Sequence, residues 1–182
     1  MDVLLASCPQ VNPFLRIKLF YSASATYHAP SDLSGIGGMH RERIRATPRW
    51  KNGPGRYDCV FVEKDAEVDG FQGLHVARVK VFFSFVFGGI TYPCALVNWF
   101  SQYGVSPCGD TGLWRVLPDR DRAGQWAASI IHIDTILRAA HLIGVCGSQS
   151  LPIDFTHHDS LDAFRLFYVN RFADHHAHEI AS

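Results

Sequence analysis

Leu74-His-Val-Ala-Arg-Val-Lys-Val-Phe-Phe-Ser-Phe-Val-Phe87, then Gly88-Gly89, then Ile90-Thr-Tyr-Pro-Cys-Ala-Leu-Val-Asn-Trp-Phe100 is the stretch that decides the fold. Both flanks are dense in β-branched and aromatic residues, which pack well on a pleated surface. The glycine pair is a two-residue hairpin signal, because glycine adopts positive φ at little cost. Two long antiparallel strands are therefore expected, Leu74–Phe87 and Thr91–Phe100. The first alternates early (Val76, Arg78, Lys80) and becomes wholly apolar later, which predicts one end at an edge and the other buried.

Further strands are expected on either side of this ribbon at Tyr57–Glu63, Gly112–Leu117 and Ala128–Asp134, with Asp69-Gly70 as a turn. Leu15–Leu19 alternates apolar and basic residues and reads as a first strand. Thr135–Ala140 interrupts the rhythm as a single helical turn, and Leu142–Cys146 restores it. A C-terminal helix is expected from Asp159 or Ser160, with Leu161, Phe164, Phe167 and Tyr168 on one face plugging the sheet. The fold class is mainly β (α+β): a single antiparallel curled sheet or small SH3-like barrel, with an extended N-terminal arm and a C-terminal helix.

One domain overall is expected, in three stretches. Residues 1–21 are an N-terminal strand region, 22–56 a Gly/Pro-rich basic arm, and 57–182 a β-rich core with the helix. The arm reads as a long connection with a short helical turn at Met39–Ile44, either functional or wrapped on the domain.

The 182 residues are 47% hydrophobic and 19% charged, enough apolar surface for one core and far from a disordered composition. Seventeen Lys and Arg balance seventeen Asp and Glu, so any nucleic-acid or membrane role must be local. The charge is segregated. Gly37 to Arg56 carries six cations against Glu42, whereas Asp154 to Ser182 is acidic and rich in histidine.

Five cysteines, none closer than fourteen residues to the next, argue against a zinc finger or a disulfide framework and fit a reducing intracellular compartment. Cys59, Cys94 and Cys146 lie in apolar runs and are expected to be buried thiols. Leu5-Ala-Ser-Cys8 resembles a lipoprotein cleavage box but lacks a basic flank and a long enough apolar run. No stretch is long and apolar enough to span a bilayer, so no membrane partner is expected.

Four clusters are candidates for chemistry. In Asp174-His-His-Ala-His-Glu179, the weak candidate metal ligands are His175, His176, His178 and Glu179. The order is not the H-E-x-x-H of a zinc hydrolase, which favours a surface cluster, and His157-His158 are required by nothing in the sequence. His132 and Asp134 share a strand face and suit a base with its orienter, but no nucleophile motif completes them, so a turn cap is the stronger reading. Gly35-Ile-Gly37-Gly38 lacks the Gly-Lys-Ser/Thr ending of a phosphate loop and reads as a turn. The fourth is Arg41, Arg43, Arg45, Arg49, Lys51 and Arg56 with Trp50 interleaved, a composition suited to phosphates plus one stacking platform. An ordinary solvated arm is the equal alternative.

An ordered set of segments carries a resemblance over nearly the whole chain. It runs from Tyr27-His-Ala-Pro-Ser-Asp-Leu-Ser-Gly-Ile-Gly-Gly-Met39 through Arg45-Ala-Thr-Pro48 and Gly55-Arg-Tyr-Asp-Cys-Val60 to Gly73-Leu-His-Val-Ala-Arg78. It continues through Tyr92-Pro-Cys-Ala-Leu96, Ile131-His-Ile-Asp134, Arg138-Ala-Ala-His-Leu142 and Ser160-Leu-Asp-Ala-Phe164 to the terminal histidines. This set resembles the C-terminal region of proteins encoded by fungal Plavaka-type transposons, a CACTA-like branch of the Kyakuja–Dileera–Zisupton group.

The resemblance implies a non-catalytic accessory piece, because full-length members keep their carboxylate-triad nuclease core upstream of such a tail. It implies a nuclear location; with the basic arm, it points to DNA or chromatin and other transposase segments as partners, and no cofactor is expected. Two alternatives stand beside this reading. One is a structural or protein-interaction domain, a transposon relic without nucleic-acid binding; the other is a small metal-dependent enzyme using the terminal histidines.

Overall fold

The computed structural model describes residues 16–30, 37–147 and 150–182. Its backbone is the expected ribbon. β6 (Leu74–Phe87) and β7 (Ile90–Gln102) pair antiparallel from Phe87↔Ile90 to Val76↔Phe100. Gly88 and Gly89 form the turn at φ 58° and 80°, both in the left-handed region that glycine alone enters freely.

Each end of the ribbon has its own neighbours. β5 (Cys59–Glu63) pairs with the first half of β6, and β1 (Ile17–Phe20) with the second half. β9 (Ala128–His132) lines the middle of β7, and β8 (Arg115–Pro118) its end. Beyond β5 lies β10 (Ile136–Ala140); beyond β8 lie β12 (Phe167–Val169) and β11 (Leu142–Gly144).

β10 and β11 are thus the two ends of one path of strands, yet only His141 separates them in sequence. That one-residue link brings the two edges together, so the sheet curls into a nearly closed antiparallel barrel. The fold class read from the sequence, mainly β with a small curled barrel and a C-terminal helix, is the one observed.

A register shift between Val79 and Val81 leaves Lys80 unpaired in β6. The extra residue resets the two-residue alternation, so that Phe82 continues the face begun by Ala77 and Val79. β5 and the stretches of β6 and β7 beside it are buried on both sides. One side is the barrel interior, with Phe61, Phe71, Phe100, Trp114, Phe167 and Val169. The other packs Val60, Val62, Val79, Phe82 and Val97 against a hairpin laid over the barrel wall.

That hairpin lies in the stretch read from sequence as an arm with a helical turn. Residues 22–56 contain β2 (Ser22–His28) and β3 (Met39–Thr47), paired from Ser22↔Arg45 to His28↔Met39, and β4 (Arg56–Tyr57) pairs the end of β3. Met39–Ile44 is strand because Ala25, Ile44 and Ala46 are buried against the wall at a spacing of two.

Three smaller expectations are also corrected. The helical turn at Thr135–Ala140 is a 3-10 turn at Ile133–Thr135 followed by β10, since β5 offers Ile136–Ala140 a free edge. The C-terminal helix does not run from Ser160 to Tyr168. α1 (Ser160–Ala163) is a single turn, and Phe167–Val169 pairs with β8 and β11 as a barrel strand. The terminal helix is α2 (His175–Ile180), whose N-cap Asp174 accepts from the Ala177 N–H at 2.8 Å. Cys146 is exposed, while Cys59 and Cys94 are buried as expected; Cys8 lies outside the described residues.

Candidate nucleic-acid interface

β3 alternates inward His40, Glu42, Ile44 and Ala46 with outward Arg41, Arg43 and Arg45. Residues directly opposite in an antiparallel pair share a face. Thr26, Ser24 and Ser22 of β2 therefore stand beside Arg41, Arg43 and Arg45 in turn. The outer face of the hairpin is a row of three guanidinium groups alongside a row of three hydroxyls, spaced about 6.8 Å apart along the strand. Arg41 Nη2 donates to Ser24 Oγ at 3.3 Å, and Arg45 Nη1 to the Arg43 carbonyl at 3.4 Å.

The remaining predicted cations gather where β3 ends. Trp50 to Gly53 form a tight turn in which the Gly53 N–H donates to the Trp50 carbonyl at 2.8 Å. Its tip, Lys51 and Asn52, holds φ of 49° and 63°, the left-handed pair of a two-residue hairpin turn. The Trp50 ring has the Arg45 guanidinium 4.5 Å from its centroid, Arg56 at 5.4 Å and the Lys51 ammonium at 5.8 Å. Trp50 thus makes cation–π contact with three charges.

Arg49 is exposed at the end of β3 and does not join this group. Arg56 is partly neutralised by Asp58 at 2.7 Å, and the other Asp58 oxygen accepts the Arg45 N–H at 2.9 Å. Of the seven predicted interface residues the structure gathers Arg45, Trp50, Lys51 and Arg56, and aligns Arg41 and Arg43 with them on one surface.

The hairpin is held by a polar clasp. Arg138 on β10 is 4% exposed and makes a two-pronged pair with Asp174. Its guanidinium lies 4.6 Å from the Tyr27 ring centroid on β2 and 3.7 Å from Glu42 on β3. Glu42 also accepts the Ala139 N–H. Desolvation raises the Glu42 carboxyl above its ordinary range, whereas the bond from Arg138 holds Asp174 down to about 2.

The terminal histidines have separate partners. His175 faces Glu179 at 3.2 Å, His178 packs on Phe172, and His176 stacks on Tyr27 at 4.5 Å with Nδ1 3.2 Å from Arg138 Nη1. Because arginine only donates, Nδ1 accepts there and the ring is neutral. Burial, then the Arg138 charge, lowers its pKa. Among the described residues no three His, Cys, Asp or Glu side chains are grouped so as to hold a metal ion.

His132 Nδ1 accepts from the Asp134 N–H at 3.3 Å, capping the 3-10 turn. Gly37 and Gly38 sit at φ 62° and 76° in the turn before β3, and Gly35 lies outside the described residues. No helix among the described residues is long and apolar enough to cross a membrane.

Sequence reasoning missed the hydroxyl row and the clasp. The hydroxyl row has a sequence signal: Ser22-Ala-Ser-Ala-Thr26 and Arg41-Glu-Arg-Ile-Arg-Ala46 both alternate with period two. Arg138 has no local signal, because its partners come from β2, β3 and α2. Compared with models of protein families, with curated proteins and with solved structures, the chain matches none.

Proposed function

We propose that this chain is a non-catalytic nucleic-acid-binding module that lays the outer face of its β2–β3 hairpin against a phosphate backbone. The observation that carries this reading is the alignment of Arg41, Arg43 and Arg45 opposite Thr26, Ser24 and Ser22. Arginine forks and hydroxyls are the side chains that bind phosphate oxygens, and a two-stranded ribbon fits the major groove of a duplex. The chain is neutral overall, so binding rests on this patch and is weak and salt-dependent. Such a module suits the C-terminal region of a transposon-encoded protein acting in the nucleus on DNA or chromatin. Amide shift mapping with a short duplex tests it: changes should concentrate on residues 22–28, 39–47 and 49–56.

A second reading, a protein-interaction domain without nucleic-acid binding, is favoured by the far half of the ribbon. Register places Ile17, Leu19, Phe83, Phe85 and Ile130 on one face there, with Leu19 65% and Ile130 63% exposed. An apolar face of that kind marks an association surface. Shift changes absent from the hairpin would favour this reading.

A further inference from the structure

Beside the Trp50 turn lies a cleft of about 280 Å³ between β4, β6 and the segment before α1. Trp50 and Tyr57 form its aromatic walls; Arg56, Arg78, His157 and His158 line it. Arg78 is 8% exposed, and its buried Nε–H has no acceptor among the described residues. Its Nη1 is held by Asp162 at 2.7 Å, which fixes the guanidinium at the cleft wall. A buried donor without an acceptor is costly unless something else accepts from it.

The imidazoles reach the cleft from the far side. Their rings lie 3.7 Å apart, and His158 comes 4.0 Å from where a side chain on Gly53 would begin. Ser160 Oγ donates to the His157 carbonyl at 2.9 Å, and Asp159 accepts from the Thr156 hydroxyl at 2.7 Å, which fixes the segment that carries them.

Charge around the cleft favours an anion. Arg45 and Lys51 lie over Trp50, and Lys80 Nζ is 4.2 Å from the Tyr57 centroid. With Arg56 and Arg78 these make five fixed cations against the carboxylates of Asp58, Asp159 and Asp162. Two imidazoles able to donate stand beside them.

We propose that this cleft binds a phosphate group, through Arg78, Arg56 and the His157-His158 pair. The phosphate comes either from free phosphate or from the phosphorylated end of a nucleic-acid strand. The assignment stands on the cleft's own residues and does not need the hairpin reading.

Inorganic phosphate titrated into the full chain at constant ionic strength, with chloride making up the balance, is the direct test. Amide shifts at Gly53, Arg56, Arg78, His157 and His158 should saturate. His158→Gln and Arg78→Lys, each checked for an unchanged fold by its amide spectrum, should weaken binding about tenfold, as expected for one lost charge-assisted hydrogen bond. If Arg78→Lys does not fold, His158→Gln alone decides. Shifts spread over all basic residues without saturation, or a His158→Gln variant that binds as the parent does, would overturn the assignment.

The source is read by anisotropy with one single strand carrying a 5′-phosphate or a 5′-hydroxyl. Tighter binding of the phosphorylated strand, lost in His158→Gln, assigns the strand end; equal binding alongside saturable inorganic phosphate assigns the free ion. An Arg41→Gln/Arg43→Gln variant, which leaves Arg45 in place over Trp50, should keep the inorganic phosphate response, so failure of the hairpin reading and failure of the cleft are told apart.

Discussion

Arg138 and Asp174 meet as a fork on a fork, with Nη1–Oδ1 at 2.7 Å and Nη2–Oδ2 at 2.6 Å, across thirty-six residues of sequence. The pair joins the terminal helix to the barrel, and the same guanidinium lies on Tyr27 of the hairpin. One side chain therefore ties three parts of the molecule together.

Asp174→Asn should destabilise the chain by about 1.5–3 kcal/mol, the range for a hydrogen bond to a charged group, because it leaves a buried guanidinium short of its counter-charge. Urea unfolding measures the loss. Hydrogen exchange should show the largest gain in β2 and α2, the elements the fork holds.

His176 makes the clasp sensitive to pH. Its folded pKa lies below the ordinary 6.5, because burial and then Arg138 oppose the charged ring. Between those two values the unfolded chain binds the proton and the folded chain does not. The contribution of His176 is complete above about 6.5 and is lost as pH falls through the folded value. Asp174 acts lower, keeping its contribution until the pH falls from about 4 towards 2. Glu42, raised by burial, has the opposite sign. His28 and Glu179 also act on the ring, with His28 adding to the lowering and Glu179 and Asp174 opposing it. His176→Gln should flatten the rise in urea midpoint between pH 5 and 7, since the Gln oxygen still accepts from Arg138 while nothing titrates.

Two buried thiols should part in reactivity. Burial pushes Cys59 up to about 12, whereas the N–H groups of Thr111 and then Asp110 bring Cys108 down to about 7. Alkylation at neutral pH, followed by peptide mapping, should label Cys108 before Cys59.

Phe167 and Phe164 separate the observed C-terminal architecture from the one a helical reading gives. Phe167 is 1% exposed inside the barrel, and Phe164 is half-buried beside it. Phe167→Ala should cost about 3–5 kcal/mol and Phe164→Ala clearly less, by denaturant unfolding.

Those two residues also show what was legible in the sequence. The ribbon was readable because long strands with a glycine turn carry their own signal from Leu74 to Phe100. Phe164, Phe167 and Tyr168 have helical spacing, yet the free edges of β8 and β11 claim Phe167–Val169 as a strand. Tertiary pairing overrides a short periodic match there.

The hairpin failed for a different reason. Glycine and proline are dense in residues 22–56, and that density hid the alternation of Arg41, Arg43 and Arg45. The basic patch was legible as composition; its alignment with the hydroxyls of β2 needed the register. The clasp and the phosphate cleft draw on residues more than eighty positions apart, such as Arg78 with Asp162, and no local pattern marks them.

The most direct test of the central claim is the salt dependence of duplex binding, read by fluorescence anisotropy on the parent and on the Arg41→Gln/Arg43→Gln/Arg45→Gln variant. Each phosphate contact releases about 0.9 counterion, so the parent should show a slope of log affinity against log salt no steeper than about −5. The variant should be flatter by about 2–3 units, with binding weakened alike on unrelated sequences. A parent that does not bind at low salt, or a variant with the parent's slope, would contradict the assignment of the hairpin face to nucleic acid.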